Sequence, residues 1–483
     1  MITGLTIAED ARPRVVSPWR LRNDGDYLLT YKCVCSELRW KVLSPLEAAI
    51  ILFLDGQYSY GELRSMWFYL FGSEKSERKK ASDGFDVVMQ HFFSEGIVAV
   101  TGEASPSLHV QAELDLPPLK LTNAPTRLYK PISVMIASTN RCCANCIYCY
   151  AERKACPELS LGDLCQIFDD LRSHEIYIVD LVGTDIFVRR DAIRILEEMV
   201  ARDFVFFLST KSRIGPETAL RLADLGIGIP GLSPHLVRPV QVSIDSADNG
   251  VASFLTKCRN YLYTAEETVK NLLHVGIKPK VKCVLTQFNG SAPEQLIEHF
   301  AAIGVDAFQF VQYGRSHYRH NDQLFLRKDQ KLTLSQEMRR IAEQNPTLRI
   351  EYQDDTTAGD AGSITTPDTW RKRGLCSAGR VNMEVMPNGD CILCDQIPHS
   401  GEFIVGNILK QGVMGLWHDP KVTSFIFPTR DHFVGTVCFN CKEFDACHHG
   451  LGYCFRDSLF NYGTVFDAPP NCPRQIRPPL RQI

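Results

Sequence analysis

The sequence predicts an α/β protein: a partial (β/α)6 barrel with an α+β domain before it and a cysteine-rich domain after it. Three observations carry this. Between residues 132 and 312, strand-like and helix-like apolar segments alternate, which implies parallel strands joined by right-handed crossovers. Ahead of them, a strand pattern is followed by three short helices and a closing strand. From Cys376 onward apolar periodicity fades, and cysteine, glycine and short polar loops take over. Metal can organise a region with so little apolar pattern.

The first domain is read as residues 1–103. Tyr27–Tyr31 is strand-like, and Ser44 caps a helix over Pro45–Leu54. Asp55-Gly56 turns the chain, and Ser59-Tyr60-Gly61-Glu62 is a capping box that opens a second helix. A third helix ends near Ser94, and Gly96–Val100 is a closing strand. This arrangement looks like a winged helix. DNA binding is a common use of that fold, but the domain has twelve Lys and Arg against fourteen Asp and Glu, net −2. Its second helix is apolar with one basic residue, Arg64, too few for phosphate and base contacts. Residues 104–128, rich in Pro and short polar residues, read as a linker.

The barrel is placed over residues 129–325. Its strand–helix pairs are Ile132–Ala137 with Leu161–Ser173, Ile176–Leu181 with Asp191–Arg202, and Val205–Leu208 with Glu217–Leu225. Val240–Ile244 with Ala265–Val275 and Lys280–Leu285 with Ala292–Ile303 follow, and Phe308–Gln312 is the last strand. Residues 326–375 form a bridging region, and residues 376–483 the cysteine-rich domain.

Composition narrows the function. At 483 residues, two or three domains are expected. A net charge of −3 gives no global pull toward nucleic acid or an acidic membrane. The N-terminus lacks a basic and an apolar region, so no signal peptide is expected. The longest apolar run, Ala48–Leu54, is too short to span a bilayer. The expectation is a cytoplasmic protein. Its 18 cysteines are then anomalous, and in a reducing compartment such clusters read as metal ligands rather than disulfides.

Directly after the first barrel strand, Cys142, Cys146 and Cys149 form a C-x3-C-x2-C set. Three thiolates on one loop can hold three irons of a 4Fe–4S cluster and leave the fourth iron open. A structural zinc loop would instead call for four ligands with paired C-x2-C spacing. The triad, with aromatic Tyr148 before its last cysteine and a strand ahead of it, resembles the radical S-adenosylmethionine (SAM) superfamily. That resemblance implies a barrel of the radical SAM type, with SAM chelating the open iron through its methionyl amine and carboxylate. It also implies reductive cleavage of SAM to a 5′-deoxyadenosyl radical that abstracts a hydrogen atom. The cofactor does the hard chemistry while the protein orients it. Cys143 is out of register.

Other family positions match one by one. Where the family has Gly-Gly-Glu for the methionyl amine, this chain has Gly183-Thr184-Asp185, in which Thr184 departs. Ser209 and Lys211, in Ser209-Thr210-Lys211-Ser212, match a ribose- and carboxylate-contacting segment. Ser243, in Val242-Ser243-Ile244-Asp245, matches a ribose contact. Arg259 either pairs with the SAM carboxylate or is an exposed arginine.

The second cysteine field comprises Cys376, Gly389, Cys394, Cys438, Cys441, Cys447, Cys454 and Cys472. Its order resembles the SPASM extension of radical SAM enzymes, which carries two auxiliary 4Fe–4S clusters and so implies three in all. The spacing before Cys454 is six residues rather than the family's three. By resemblance Cys438, Cys441, Cys447 and Cys472 close one cluster, and Cys376, Cys394 and Cys454 hold the other. The latter's fourth position is open unless Cys391 fills it. Asp395 follows Cys394 where sulfatase-maturing relatives have a base; otherwise it is a turn carboxylate. His448 and His449 are ligands, electrostatic partners or neither.

Beside such a pair of domains, the N-terminal winged helix resembles the precursor-peptide recognition element of ribosomal-peptide maturases, which extends its sheet with a leader strand. The function expected is a radical SAM maturase that installs a thioether or carbon–carbon crosslink in a ribosomally synthesised precursor peptide. Its expected partners are that peptide, bound through its leader, and a reductase such as flavodoxin or ferredoxin. Neither nucleic acid nor membrane is expected. The rivals are a sulfatase-maturing or other protein-oxidising radical SAM enzyme, a tRNA-modifying one, and an iron–sulfur or zinc regulator.

Overall fold

The computed structural model describes residues 7–16, 19–34, 37–71, 75–100, 125–230, 238–314, 317–352 and 366–478. The chain forms two compact units, Met1–Pro125 with Pro234–Leu236, and Thr126–Ser233 with Val237–Ile483.

The first unit runs β1 (Pro13–Val15), β2 (Arg20–Asn23), β3 (Leu28–Val34), β4 (Glu37–Val42), three helices (Pro45–Ile51, Tyr60–Phe71, Lys75–Ser94) and β5 (Val98–Val100). β2, β3 and β4 make an antiparallel sheet in that order, with β2 and β4 as its edges, and β1 pairs antiparallel with β5. The expected capping box at Ser59 forms, and the Ser44 cap is a capping box as well. Ser44 Oγ accepts the Glu47 N–H while Glu47 accepts the Ser44 N–H, and Ser59 and Glu62 do the same. Trp19, Ile51, Trp67, Met89, Phe92 and Ile97 are buried at its core. Most of the expected linker, residues 104–124, lies outside the described residues.

The second unit holds β6 (Ser133–Ile136), β7 (Ile178–Leu181), β8 (Leu208–Thr210), β9 (Val240–Ser243), β10 (Lys280–Leu285), β11 (Ala307–Gln312), β12 (Arg349–Tyr352), β13 (Asn382–Val385), β14 (Asp390–Ile392) and β15 (Gly406–Asn407). β6 and β7 are parallel, as are β8 through β12, and a parallel bridge between Ile178 and Val205 joins the two runs. Helices Leu161–Ser173, Ala192–Ala201, Pro216–Asp224, Tyr261–His274 and Pro293–Ile303 are the crossovers. Their apolar faces and the strands form one core, including Ile167, Phe168, Leu196, Val242, Phe300 and Phe308.

Three features differ from the expectation. The third strand begins at Leu208, not Val205, because Val205 makes a single bridge before the chain reaches the sheet. The bridging region contains the helix Lys328–Gln344 and β12, which continues the parallel sheet beyond β11. At the other end β13 pairs parallel with β6, and β14 and β15 follow antiparallel, so the cysteine-rich segment begins as an extension of the barrel. Among the described residues, no helix is long and apolar enough to cross a membrane.

Candidate functional site

At the carboxyl ends of β6 to β11 lies a cavity of about 620 Å³. Its wall includes Cys142, Cys146, Tyr148 and Cys149 from the loop after β6, and Gly183, Thr184 and Asp185 after β7. Ser209 comes from β8, Lys211 directly follows β8, and Ser243 ends β9. Ten of the sequence-selected residues thus share one wall. Arg259 does not: it is exposed on the turn between helices Asn249–Thr256 and Tyr261–His274 and is absent from the cavity lining.

The cysteine loop is pinned from several sides. Asn145 N–H donates to Thr256 O at 2.9 Å and Ile147 N–H to Leu255 O at 2.9 Å. Arg153 donates to Ala144 O at 3.0 Å and Arg319 to Cys146 O at 3.1 Å. The Cys142 thiol is pulled down by a hydrogen bond from Cys143 and by the Ala144 N–H, while burial pushes Cys146 up to about 12.

Asp185 organises the adjoining turns. Its Oδ2 accepts Thr210 Oγ1 at 2.9 Å, Lys211 N–H at 2.8 Å and Ser212 N–H at 2.9 Å, and its Oδ1 accepts Phe187 N–H at 3.1 Å. The carboxylate therefore ties the end of β7 to the end of β8. Gly183, at φ +85°, makes the left-handed turn just before it, and Thr184 Oγ1 donates to Thr139 O at 2.5 Å.

Behind the wall sits a buried charge pair that sequence reasoning left incomplete. Lys211 Nζ donates to Asp245 Oδ2 at 3.0 Å and to Ser243 O at 2.9 Å. Tyr148 donates its hydroxyl proton to the same Asp245 oxygen, and Tyr261 donates to Ser243 O at 2.6 Å. Burial works against the Lys211 charge, but the Asp245 carboxylate holds its ammonium above the usual range. Gln241 donates to Ser209 Oγ at 2.9 Å. Lys282 also lines the cavity, its ammonium pulled down by burial and by Lys280 and Lys211. Gln241 with Ser243, and Lys282 with Val284, occupy alternate positions of β9 and β10, so strand alternation turns them to one face. Polar residues at every second place of apolar strands were the overlooked signal.

The cavity is closed partly by Gln396 and Arg456. These flank Asp395 and Cys454, so the cysteine-rich segment reaches the triad's cavity. Asp395 is partly buried and adjoins Gln396 of this wall; burial raises its carboxyl, opposed by Gln396 and Arg456. Fully buried Glu384 on β13 is raised by burial and by the charge of Asp395.

The remaining cysteines fall into two neighbourhoods. Cys438, Cys441, Cys447 and Cys472 line one small pocket with His448. Cys376, Cys394 and Cys454 lie close enough to perturb one another's ionisation. The six residues before Cys454 include part of a π-helical turn, Asp445–Leu451, which absorbs the lengthened spacing. Gly452 allows the return: at φ +72° its missing Cβ would meet Cys376 Cβ at 3.1 Å. Cys391, by contrast, is fully buried in the apolar core with Sγ on Gly389 O at 3.7 Å. His448 is buried against Phe433, Phe444 and Tyr453, and burial drives its imidazole down to about 3. His449 bonds Pro428 O at 2.9 Å.

These thiols fit iron–sulfur clusters. Burial raises Cys376, Cys394, Cys438, Cys454 and Cys472, so thiolates there call for cationic compensation. Backbone N–H groups nevertheless point at sulfur: Ala378 toward Cys376, Gln396 toward Cys394, Asp457 toward Cys454, and Arg474 and Gln475 toward Cys472. Such donors suit anionic sulfur. Among the described residues, no three His, Cys, Asp or Glu converge on a single ion position.

Comparison with known proteins agrees with this geometry. Residues 136–303 match the Radical SAM superfamily, and residues 376–442 match SPASM, an iron–sulfur cluster-binding domain. No curated protein sequence matches the chain. In fold the chain is similar to SuiB of Streptococcus suis bound to S-adenosylmethionine (14% identity, 95% of this chain and 99% of that one, TM-score 0.62). It is equally similar to SuiB bound to the precursor peptide SuiA (15%, 96% and 99%, TM-score 0.63). A histidine-tagged form of anSMEcpe with bound AdoMet aligns less completely (14%, 71% and 90%, TM-score 0.50). The triad loop, the cavity and the second cysteine field thus belong to a chain that carries a radical SAM domain followed by a SPASM iron–sulfur domain.

Proposed function

We propose that this protein is a radical SAM maturase that forms a thioether or carbon–carbon crosslink in a ribosomally made precursor peptide. The observation that carries this reading is the shared cavity, lined by the Cys142–Cys149 loop and by Gln396 and Arg456 from the SPASM side. When bound, SAM and the triad's cluster supply a 5′-deoxyadenosyl radical able to remove a substrate hydrogen atom. The chain's own residues then have separate tasks. Asp185 fixes the turns that face SAM, and Ser209, Gln241 and Ser243 offer polar groups to its sugar. Lys211, neutralised by Asp245, steadies the cysteine loop through Tyr148. Asp395, its carboxyl raised by burial, is suited to accept a proton from the substrate. Cys438, Cys441, Cys447 and Cys472 would hold one auxiliary cluster, and Cys376, Cys394 and Cys454 the other.

Among the described residues no further strand pairs with β2 or β4, which supports leader binding in the first unit, because such an edge can take up a further strand. A one-electron carrier such as flavodoxin or ferredoxin would supply the reducing electron. The test uses anaerobically reconstituted protein, SAM, dithionite and a short peptide encoded beside the gene. Full-length peptide is expected to lose two hydrogens by mass, with 5′-deoxyadenosine formed in step. Deleting residues 1–103 should abolish this at low peptide concentration while leaving uncoupled SAM cleavage. Unchanged modification by the shortened enzyme would refute leader recognition. Oxidation without any internal bond would move the reading to a protein-oxidising enzyme.

A further inference from the structure

Among the described residues, three arginines near the second cysteine field, Arg127, Arg373 and Arg380, have no acidic partner. Arg380 is 1% exposed, and its guanidinium donates to Thr126 O, Ile426 O, His448 O and His449 O. Arg127, beside it, donates to Gly379 O and Trp417 O; burial and then Arg380 pull it down to about 10. Arg373 stacks on Trp370 at 4.1 Å, donates to Trp370 O and Gly452 O, and places Nη2 3.1 Å from Cys447 Sγ. Among the described residues, none of the three has a carboxylate within salt-bridge distance. The nearby acids are already engaged: Glu443 by Arg371 and Arg474, Asp467 by Arg477.

Arg380 is fully buried and Arg373 partly so; a guanidinium withdrawn from water without a counter-ion is costly, so positive charge of this kind implies an anion that completes the site. Carbonyl oxygens satisfy hydrogen bonds but do not cancel the charge. The anion at hand is sulfur. Cys447 Sγ is the acceptor of Arg373, and the missing Cβ of Gly452 would lie 3.2 Å from Arg380 Nε and 3.1 Å from Cys376 Cβ, which sets Arg380 beside that cysteine. Hydrogen bonds to ligating sulfur and nearby positive charge both favour the reduced, more negative form of a cluster.

We propose that Arg373 is the counter-cation of the cluster held by Cys438, Cys441, Cys447 and Cys472, and that its bond to the Cys447 thiolate raises that cluster's reduction potential. Arg380 serves the Cys376 side in the same way from a fully buried position. Arg373 is a positioning and tuning residue, since it acts through a ligand. The inference rests on the auxiliary-cluster reading above.

The experiment uses the full chain with Cys142, Cys146 and Cys149 changed to Ala, reconstituted with iron and sulfide, so that only auxiliary clusters report. Iron and sulfide are counted, and each cluster's midpoint is read by electron paramagnetic resonance during a redox titration. If this protein holds no cluster, the auxiliary-cluster reading fails, and this inference with it. If clusters are present, Arg373→Gln should lower one midpoint and leave the other in place. Arg373→Lys, which keeps the charge, should shift it less. Unchanged midpoints in both variants overturn the proposal alone. Loss of one cluster in Arg373→Gln but not in Arg373→Lys supports charge compensation. Loss in both makes Arg373 a packing residue and overturns it.

Discussion

The barrel and the segment from Cys438 to Cys472 each gather cysteines into one neighbourhood, and they do so by different means. In the barrel, the triad sits on a loop anchored to strands and helices that share a large apolar core. Its geometry is supplied by sheet hydrogen bonds and by the Asp185 clamp. In the later segment, Cys447 sits on a π-helical turn, and Cys438, Cys441 and Cys472 sit on short turns. Arginine-to-carbonyl bonds such as those of Arg373 and Arg380 hold the loops together. The first set is expected to be prebuilt and to receive its cluster; the second, although Cys438, Phe444 and Cys472 join the same apolar core, is expected to be completed by it. On that expectation metal binding is coupled to folding in the second region and largely separate from it in the first.

Iron removal is the most direct way to break this contrast. Chelation should cause near-complete loss of amide protection between residues 438 and 472, while β8 to β11 keep theirs. Hydrogen exchange followed by mass spectrometry would show it, and equal loss in both regions would mean that the barrel also depends on metal.

A smaller effect is expected at the clamp. Asp185→Asn cannot accept the Thr210, Lys211 and Ser212 donors in the same way, and should cost about 2–4 kcal/mol of barrel stability. SAM affinity should fall with it, because both tied turns line the cavity. Denaturation curves and equilibrium dialysis with SAM would measure the two together. A variant as stable as the parent would show that the barrel does not need its clamp.

The smallest effect concerns Asp180 on β7, whose carboxyl is raised to about 6 by burial and whose Oδ1 lacks a hydrogen-bond partner among the described residues. A raised carboxyl means that folding favours the neutral form. Stability is lost as pH climbs from the unfolded value near ~4 through 6, and stays lower above it. Asp180→Asn should therefore stabilise the protein at pH 8 by about 1–3 kcal/mol, with no gain below pH ~4. Melting temperatures across that range would reveal the slope.

Sequence legibility followed the same division. The triad could be read because its three cysteines on one loop are marked by spacing alone, and the helix Leu161–Ser173 because its apolar pattern alternates with that of the strands. The grouping of the later cysteines came from family resemblance, since no local period encodes it. Cys391 could not be sorted from a ligand until its place on β14 put it in the core. Asp245, Gln241 and Lys282 escaped notice because each needs a neighbouring strand to acquire a role. β12, with the sequence Arg-Ile-Glu-Tyr, has too little apolar content to announce a strand, and gains its identity from pairing with β11.

The pairing of β13 with β6 has a consequence for synthesis on the ribosome. Val134 and Met135 wait for Met383 and Glu384, partners about 250 residues further along the chain. Until those emerge, one side of the strand that precedes the cysteine loop stays without its ladder, exposing backbone donors and acceptors to other nascent chains. Contacts of such long sequence separation form late and slowly. Iron delivered before the last quarter of the chain has been translated would meet an unfinished barrel, so insertion at the Cys142–Cys149 loop is best suited to a chain whose β6 has already paired with β13.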